Sequence, residues 1–414
     1  MTQSFIDMLY LFKCATHGII PEERKEIDLD LVFKNALEQG TLPMIILSLT
    51  KLNYDPNIMI LGITLENHIK RIRLQVLNNL QRSVIVYNAI KELEVNGISC
   101  CVLKGDTLAG LYKNPEYRIS NDVDIYIGSE SVQKKAIKIL KKLGFEFFGG
   151  PSHLHHFSLY HEVAGQLELH RHLFIRTTHK RWFESDTSQN EPYRIVETHY
   201  GSLIPTLGIT DCFIYMYIHI VKHFLNRGIG IRPIMDILLY IREYKDAIKI
   251  ERFYNIIREL KYDRFFDNMI FIGVKYLGFS EEELFPYTCT EATAEKVLAD
   301  IEGGGIFGAR TEWRRSFSKA YTDQRILRVV EEADDEYMKK WTKNPIKRFF
   351  ISRQSMLKEF PYLAKHRVLL PLAWLLRAVK LVKKAFVAKD DSDDYVHSDE
   401  VKERMELIKE LDMI

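Results

Sequence analysis

Two aspartates separated by one residue interrupt an otherwise apolar strand pattern, "DVDIYI" at 122–127. Side chains on a strand alternate faces, so Asp122, Asp124 and Tyr126 point one way and Val123, Ile125 and Ile127 the other. The apolar three need a packed layer behind them. The two carboxylates share the opposite face, where they repel, and burying either one unpaired is costly. A chain with this strand must therefore build a sheet with one dry face and bring positive charge to the other. A divalent cation meets that need, since Mg²⁺ takes a few carboxylates plus phosphate oxygens and water.

A third carboxylate is available in "QLELHR" (166–171), where Gln166, Glu168 and His170 share one strand face and Leu167 and Leu169 the other. Upstream, "LKGDTLAGLY" (103–112) reads as a strand ending at Gly105 and opening a short helix, where backbone N–H groups favour an anion. Lys104 adds charge beside that turn or is a solvated strand-end lysine. Arg118 and Ser120 precede the aspartates. Arg118 suits a phosphate through its planar fork, or a salt bridge that steadies the loop.

Around this segment the chain is helical. Residues 1 to about 95 carry helical spacing, clearest from Thr64 to Leu93, where Ile69, Ile72, Val76, Leu80, Val84, Val86, Tyr87, Ile90 and Leu93 form a broad stripe. Gly97 is a left-handed stop, and the period then changes from helix to strand. Strands are expected at 98–105, 122–127, 156–161, 166–171 and 193–199, and a helix at 129–145 with Ser129 as N-cap and Gly144 as stop. This pattern predicts an α+β chain: a small mixed sheet with helices mostly on one face, between N- and C-terminal helical regions. Helices follow at 210–226, 233–244, 250–260, 263–277 and 292–302, before a glycine loop at 302–308. The boundaries are 1–95 (helical), 96–205 (core), 206–388 (helical) and 389–414 (acidic linker and last helix).

Net charge is +2 over 414 residues, with no interleaved aromatic and basic patch, which argues against long nucleic acid as a partner. Five cysteines lack metal or redox spacing, as in a reduced, cytoplasmic protein. The first twenty residues read as an amphipathic helix, and no uncharged run is long enough to span a membrane. The basic stretch 367–386 reads as a helix packed on its own domain, with contact to an anionic membrane surface as the alternative.

These motifs resemble the nucleotidyltransferase superfamily, with its DNA polymerase beta-like fold, and most closely its bacterial branch of uncharacterised nucleotidyltransferases. "LKGD" stands at the family's glycine turn, with Asp106 where many relatives have serine. "RISNDVDIYI" matches the Asp-x-Asp strand, and "QLELHRHLF" the third acidic strand, with Glu168 where aspartate is commoner. The resemblance implies Asp122, Asp124 and Glu168 as catalytic metal ligands for Mg²⁺ or Mn²⁺. It also implies a nucleoside triphosphate, ATP among them, held near Lys104, Gly105, Asp106, Arg118, Ser120 and Lys222. A nucleoside monophosphate would pass to an acceptor, a small molecule or a protein, with release of pyrophosphate. A weaker likeness over 217–241 places Lys222 or His223 at the nucleotide and Asp236 at a base or substrate, with buried polar pairs between helices as the alternative there; His156, His170 and His223 are further candidates for contact with substrate. Asp106 either faces the triphosphate unfavourably or caps the helix that begins there. Two other readings stand beside this one. The fold could serve as a non-catalytic nucleotide-binding module, which the Gly-Asp departure favours. A zinc-dependent hydrolase is the other, since His170 and His172 share a strand face within a crowd of histidines (153, 155, 156, 161, 170, 172, 179).

Overall fold

A computed structural model describes residues 1–22, 27–52, 54–120, 122–148, 156–174, 188–226, 228–306, 314, 356, 360, 363, 366–377, 379 and 399–413. Three helices open the chain. They are α1 (Gln3–His17), whose N-cap Thr2 hydroxyl accepts from the Phe5 N–H, α2 (Leu29–Gln39) behind Asp28, and α3 (Leu42–Leu49). A small hairpin, β1 (Met59–Ile60) and β2 (Ile63–Thr64), interrupts the region expected to be wholly helical. The 31-residue α4 (Leu65–Val95) follows and ends ahead of Gly97, whose φ of 72° only glycine adopts freely.

Then come β3 (Cys101–Val102), the one-turn α5 (Asp106–Ala109), β4 (Asp122–Tyr126), α6 (Glu130–Lys142), β5 (Glu146–Phe147), β6 (His156–His161), β7 (Gly165–His170), β8 (Arg194–Glu197) and β9 (Leu203–Thr206). The last strand lacks the alternation that marks the others, and its place in the ladder comes from tertiary pairing. The sheet order is β5-β6-β7-β4-β3-β9-β8, with β4 parallel to β7, antiparallel to β3, and β3 parallel to β9. The chain is thus α+β, built on one mixed sheet.

Alternation along β3, β4 and β7 gives the sheet two different faces. Val102, Val123, Ile125, Leu167 and Leu169 pack with Val86, Ile90 and Leu93 of α4 and Ala136 and Leu140 of α6. On the other face Cys101 and Leu103 join a larger apolar cluster. It contains α1 to α3 together with α7 (Ile209–Asn226), α8 (Ile231–Tyr244), α9 (Ile250–Glu259), α10 (Asp263–Tyr276) and α11 (Glu291–Gly304). Helices therefore cover both faces, not mainly one, and the aspartate face is roofed instead of open. A final helix, α12 (Asp399–Glu410), docks through Arg404, which pairs with Asp300 and donates to the Phe224 carbonyl.

Two further expectations are corrected. The stripe on α4 is narrower than its spacing suggests, because Leu80 and Val84 are exposed. The glycines after residue 302 extend α11 to Gly304 before Gly305 breaks it. Of the stretch 367–386, residues 378 and 380–386 lie outside the described residues, as does all of 389–398; 370–377 is helical, with Trp374 packed against Met356, Phe360, Leu363 and Ala373. No helix among the described residues is long and apolar enough to cross a membrane.

Ile125 is fully buried at the centre of the α4–α6 face. Ile125→Ala leaves a cavity where the sheet cannot collapse, so we expect about 2–5 kcal/mol lost in urea unfolding. A loss below about 1 kcal/mol would show that this face is not the packed layer on which the strand register depends.

Candidate active site

The register of β4 on β7 builds the site. Asp122 stands beside Gln166, Asp124 beside Glu168, and Tyr126 beside His170, all on one face. Parallel pairing thus sets Glu168 next to Asp124, as alternation in the two strands predicts. Asp124 is only 1% exposed, because the roof of helices closes over it.

Positive charge arrives from the protein itself. The Lys104 ammonium lies 2.9 Å from Asp124 Oδ2 and 3.2 Å from Asp122 Oδ2, bridging the two carboxylates. Burial pushes the Asp122 carboxyl up and Glu168 pushes it the same way. The charge and hydrogen bond of Lys104, with Arg82 adding to them, outweigh both and hold it below the usual carboxylate range. Lys104 is therefore neither a solvated strand-end lysine nor, in this arrangement, open to a phosphate.

Asp124, Glu168 and His170 offer ligand atoms that all lie within 4.8 Å of one another, close enough to hold one metal ion. His170 Nε2 is 3.3 Å from Asp124 Oδ1 and 3.4 Å from Glu168 Oε2, while Gln166 donates to Glu168 Oε1 at 2.7 Å. Burial lowers the His170 pKa; Glu168 opposes by hydrogen bond and charge, and Lys222 and Lys104 lower it further. A lowered pKa favours the neutral imidazole, the form that binds a metal. Of the expected trio, Asp124 and Glu168 fall in this cluster, which His170 joins; Asp122 lies on the same face with its carboxylate on Lys104. The donors are two carboxylates, the type that Mg²⁺ and Mn²⁺ take, and one imidazole, the type that zinc and its neighbours take.

The glycine turn is real but is built differently from expectation. Gly105 has φ 91° and ψ −117°, a conformation closed to residues with a Cβ. The helix it opens is a single turn, so little dipole stands behind an anion there. Asp106 does not cap it: no side-chain cap bond forms, and Asp106 Oδ2 instead accepts from Ser83 Oγ of α4 at 2.6 Å. Ser120 is buried and donates to the Asp122 carbonyl at 3.1 Å.

Arg118 and Asp236 prove to be partners. Nε and Nη2 of Arg118 meet Oδ1 and Oδ2 of Asp236 at 2.9 and 2.7 Å, Nη1 donates to the Gly105 carbonyl at 3.2 Å, and Tyr112 donates to Asp236 Oδ1 at 2.8 Å. Burial raises the Asp236 carboxyl, but the Arg118 charge and hydrogen bonds bring it below its usual range. So the salt-bridge alternative for Arg118 describes its contacts, and Asp236 fastens α8 to the glycine turn instead of facing ligand.

Helix α7 crosses above the carboxylates. Lys222 and His223 lie near its end, with His223 exposed and its ring 4.5 Å from that of His219. Burial takes His219 well below the usual histidine range, and Lys104, His223, Lys222 and His170 all add to this. Those neighbours place His219 at the site. Sequence reading missed it, although it sits one turn before His223 and one after Tyr215. Arg82 of α4 was also missed; its Nη1 donates to the Ser120 carbonyl. The backbone of His156 pairs with His170, and its side chain lies outside the described residues, as do His153, His155 and His179. His172 falls beyond the end of β7 and accepts from Arg171 Nε at 3.2 Å, so among the described residues the cluster holds one imidazole, that of His170.

Breaking the Arg118–Asp236 pair tests how the turn is held. Arg118→Ala strands a buried carboxylate, and we expect about 3–5 kcal/mol of destabilisation in urea unfolding. An unchanged midpoint would mean that the pair does not anchor the site.

The model of the family described as an uncharacterised nucleotidyltransferase matches residues 25–278, more than half of the chain and all of this site. No curated protein and no solved structure matches. With the Asp-x-Asp strand and its acidic neighbour set in register under that match, the chain belongs to the uncharacterised nucleotidyltransferase family.

Proposed function

We propose that the protein is a Mg²⁺-dependent nucleotidyltransferase, in which Mn²⁺ can substitute, acting in the cytoplasm on a nucleoside triphosphate, with ATP the first to test. The observation that carries this reading is the register that sets Asp124 beside Glu168 and His170, with Asp122 on the same face. The metal, when bound, neutralises the triphosphate and favours the ionised acceptor. Asp124, Glu168 and His170 hold it, and Asp122 shares the charge.

The acceptor is a hydroxyl or other nucleophile on a small molecule or a protein. Its attacking atom bonds to the α-phosphorus, the bond from that phosphorus to the bridging oxygen breaks, and pyrophosphate leaves. The acceptor proton passes to the carboxylate nearest it, which we assign to Glu168. Lys104 serves as the resident cation that keeps Asp122 and Asp124 ionised before the substrate arrives. It then turns its ammonium toward the phosphates. Lys222 and His223 edge the entrance.

Asp122→Asn and Asp124→Asn should each cut transfer from radiolabelled triphosphate by about 10²–10³-fold while leaving far-UV circular dichroism unchanged. Either variant turning over at the wild-type rate would sink the assignment. Binding of triphosphate by the wild type with no pyrophosphate released to any acceptor would instead favour the non-catalytic module. Removing Lys104 should have the opposite sign for metal alone. Lys104→Met should bind Mn²⁺ roughly threefold to tenfold more tightly by electron paramagnetic resonance, since an ammonium no longer competes for the carboxylates.

A further inference from the structure

Two arginines reach the glycine turn, and they are in opposite states. Arg118 has spent its guanidinium: the side-on edge formed by Nε and Nη2 grips Asp236, and Nη1 holds the Gly105 carbonyl. Arg82, from α4, has spent only Nη1, on the Ser120 carbonyl. Its Nε and Nη2 are buried and meet no hydrogen-bond partner among the described residues, though the side chain belongs to a residue only 8% exposed. That free edge is the same one with which Arg118 takes two carboxylate oxygens.

A guanidinium stays charged at any working pH, so Arg82 cannot escape its burial by losing a proton. Two buried donors left unmet forfeit the hydrogen bonds that water would give them. Its charge is felt by Asp106 and Asp122, which flank the turn, yet neither carboxylate closes an ion pair with it. The hydroxyl of Thr107, on the same turn, is likewise buried without a partner among the described residues. A planar two-donor edge fits an oxyanion with two oxygens to offer, as a phosphate has, and the turn it reaches carries an unmet hydroxyl of its own. The position is fixed by contact: Arg82 touches Ser120, and Ser120 Oγ lies 3.1 Å from the Asp122 carbonyl.

Building on the nucleotidyl-transfer reading above, we infer that Arg82 is the phosphate-binding arginine of this site, its Nε–Nη2 edge receiving the β- and γ-phosphates that later depart as pyrophosphate. Arg118 then has a positioning role, and Thr107 supplies a hydroxyl donor to the same phosphates. An arginine contributed by a helix that precedes the sheet makes that helix part of the binding site.

The test is calorimetry on the full chain with inorganic pyrophosphate and with Mg²⁺–ATP, alongside Mn²⁺ binding by electron paramagnetic resonance. Arg82→Gln should weaken pyrophosphate about tenfold or more, the equivalent of one charge-assisted bond, with Mn²⁺ affinity within about twofold of wild type. Arg82→Lys keeps the charge and loses the two-point edge. It should lose affinity for pyrophosphate by an intermediate factor, and it decides the matter if Arg82→Gln fails to fold. Pyrophosphate should raise the melting temperature of the wild type and not of Arg82→Gln. Wild-type affinity for pyrophosphate in Arg82→Lys and in any folded Arg82→Gln overturns the inference and leaves the transferase reading standing. Equal losses of Mn²⁺ and pyrophosphate binding mean a structural role and also overturn it. A wild-type protein that binds neither pyrophosphate nor any triphosphate overturns both.

Discussion

Parallel pairing of β4 with β7 is the constraint on which the site rests. A slip of one residue would turn Glu168 and His170 into the α4–α6 core and bring Leu167 and Leu169 to face the carboxylates. The apolar residues prevent it. Val123, Ile125, Leu167 and Leu169 are all nearly or fully buried, so the hydrophobic layer on one face holds the register that places charge on the other. Repulsion among Asp122, Asp124 and Glu168 is the cost of that arrangement, and Lys104 offsets it from the end of β3.

A second fastening sets how the two halves of the molecule meet. The Arg118–Asp236 pair joins the loop before β4 to α8, and Arg232 of the same helix donates to the Ile119 carbonyl at 2.7 Å. Gly105 lies beneath, its carbonyl held by Arg118. The turn is therefore clamped by helices distant in sequence, which is why its strained backbone persists with so short a helix behind it. Positioning by buried ion pairs gives little net stability, but a broken pair is expensive, and this protects the geometry.

Period and alternation made much of this legible. The strands carrying Asp122, Asp124 and Glu168 alternate cleanly, and the helices from residue 210 onward have strong apolar faces between evident stops. What did not show was partnership. Nothing in "RISNDVDI" says that Arg118 will find Asp236, 118 residues away, before any ligand does. Nor could spacing reveal that His170 would lie against Asp124 and Glu168 while Lys104 bridged the two aspartates, since both contacts exist only once the strands are paired. Strand β9 was missed for the related reason that "LIPT" has no alternation, and its ladder to β3 exists only once the chain is folded.

The Gly-Asp turn shows where an acidic side chain can go when it stands at such a place. An aspartate in place of the commoner serine would repel a triphosphate if its carboxylate faced the site. Here α4 takes that carboxylate: Ser83 donates to Asp106, and Arg82, one residue earlier, holds the Ser120 carbonyl on the other side of the turn. One rigid 31-residue helix thus reaches both walls of the turn while packing Val86, Ile90 and Leu93 against the sheet. A serine lost from the turn is answered by a serine on the neighbouring helix. Asp106 and the α4 residues around it form one unit, so the helix that packs the far face of the sheet also reaches round to the glycine turn.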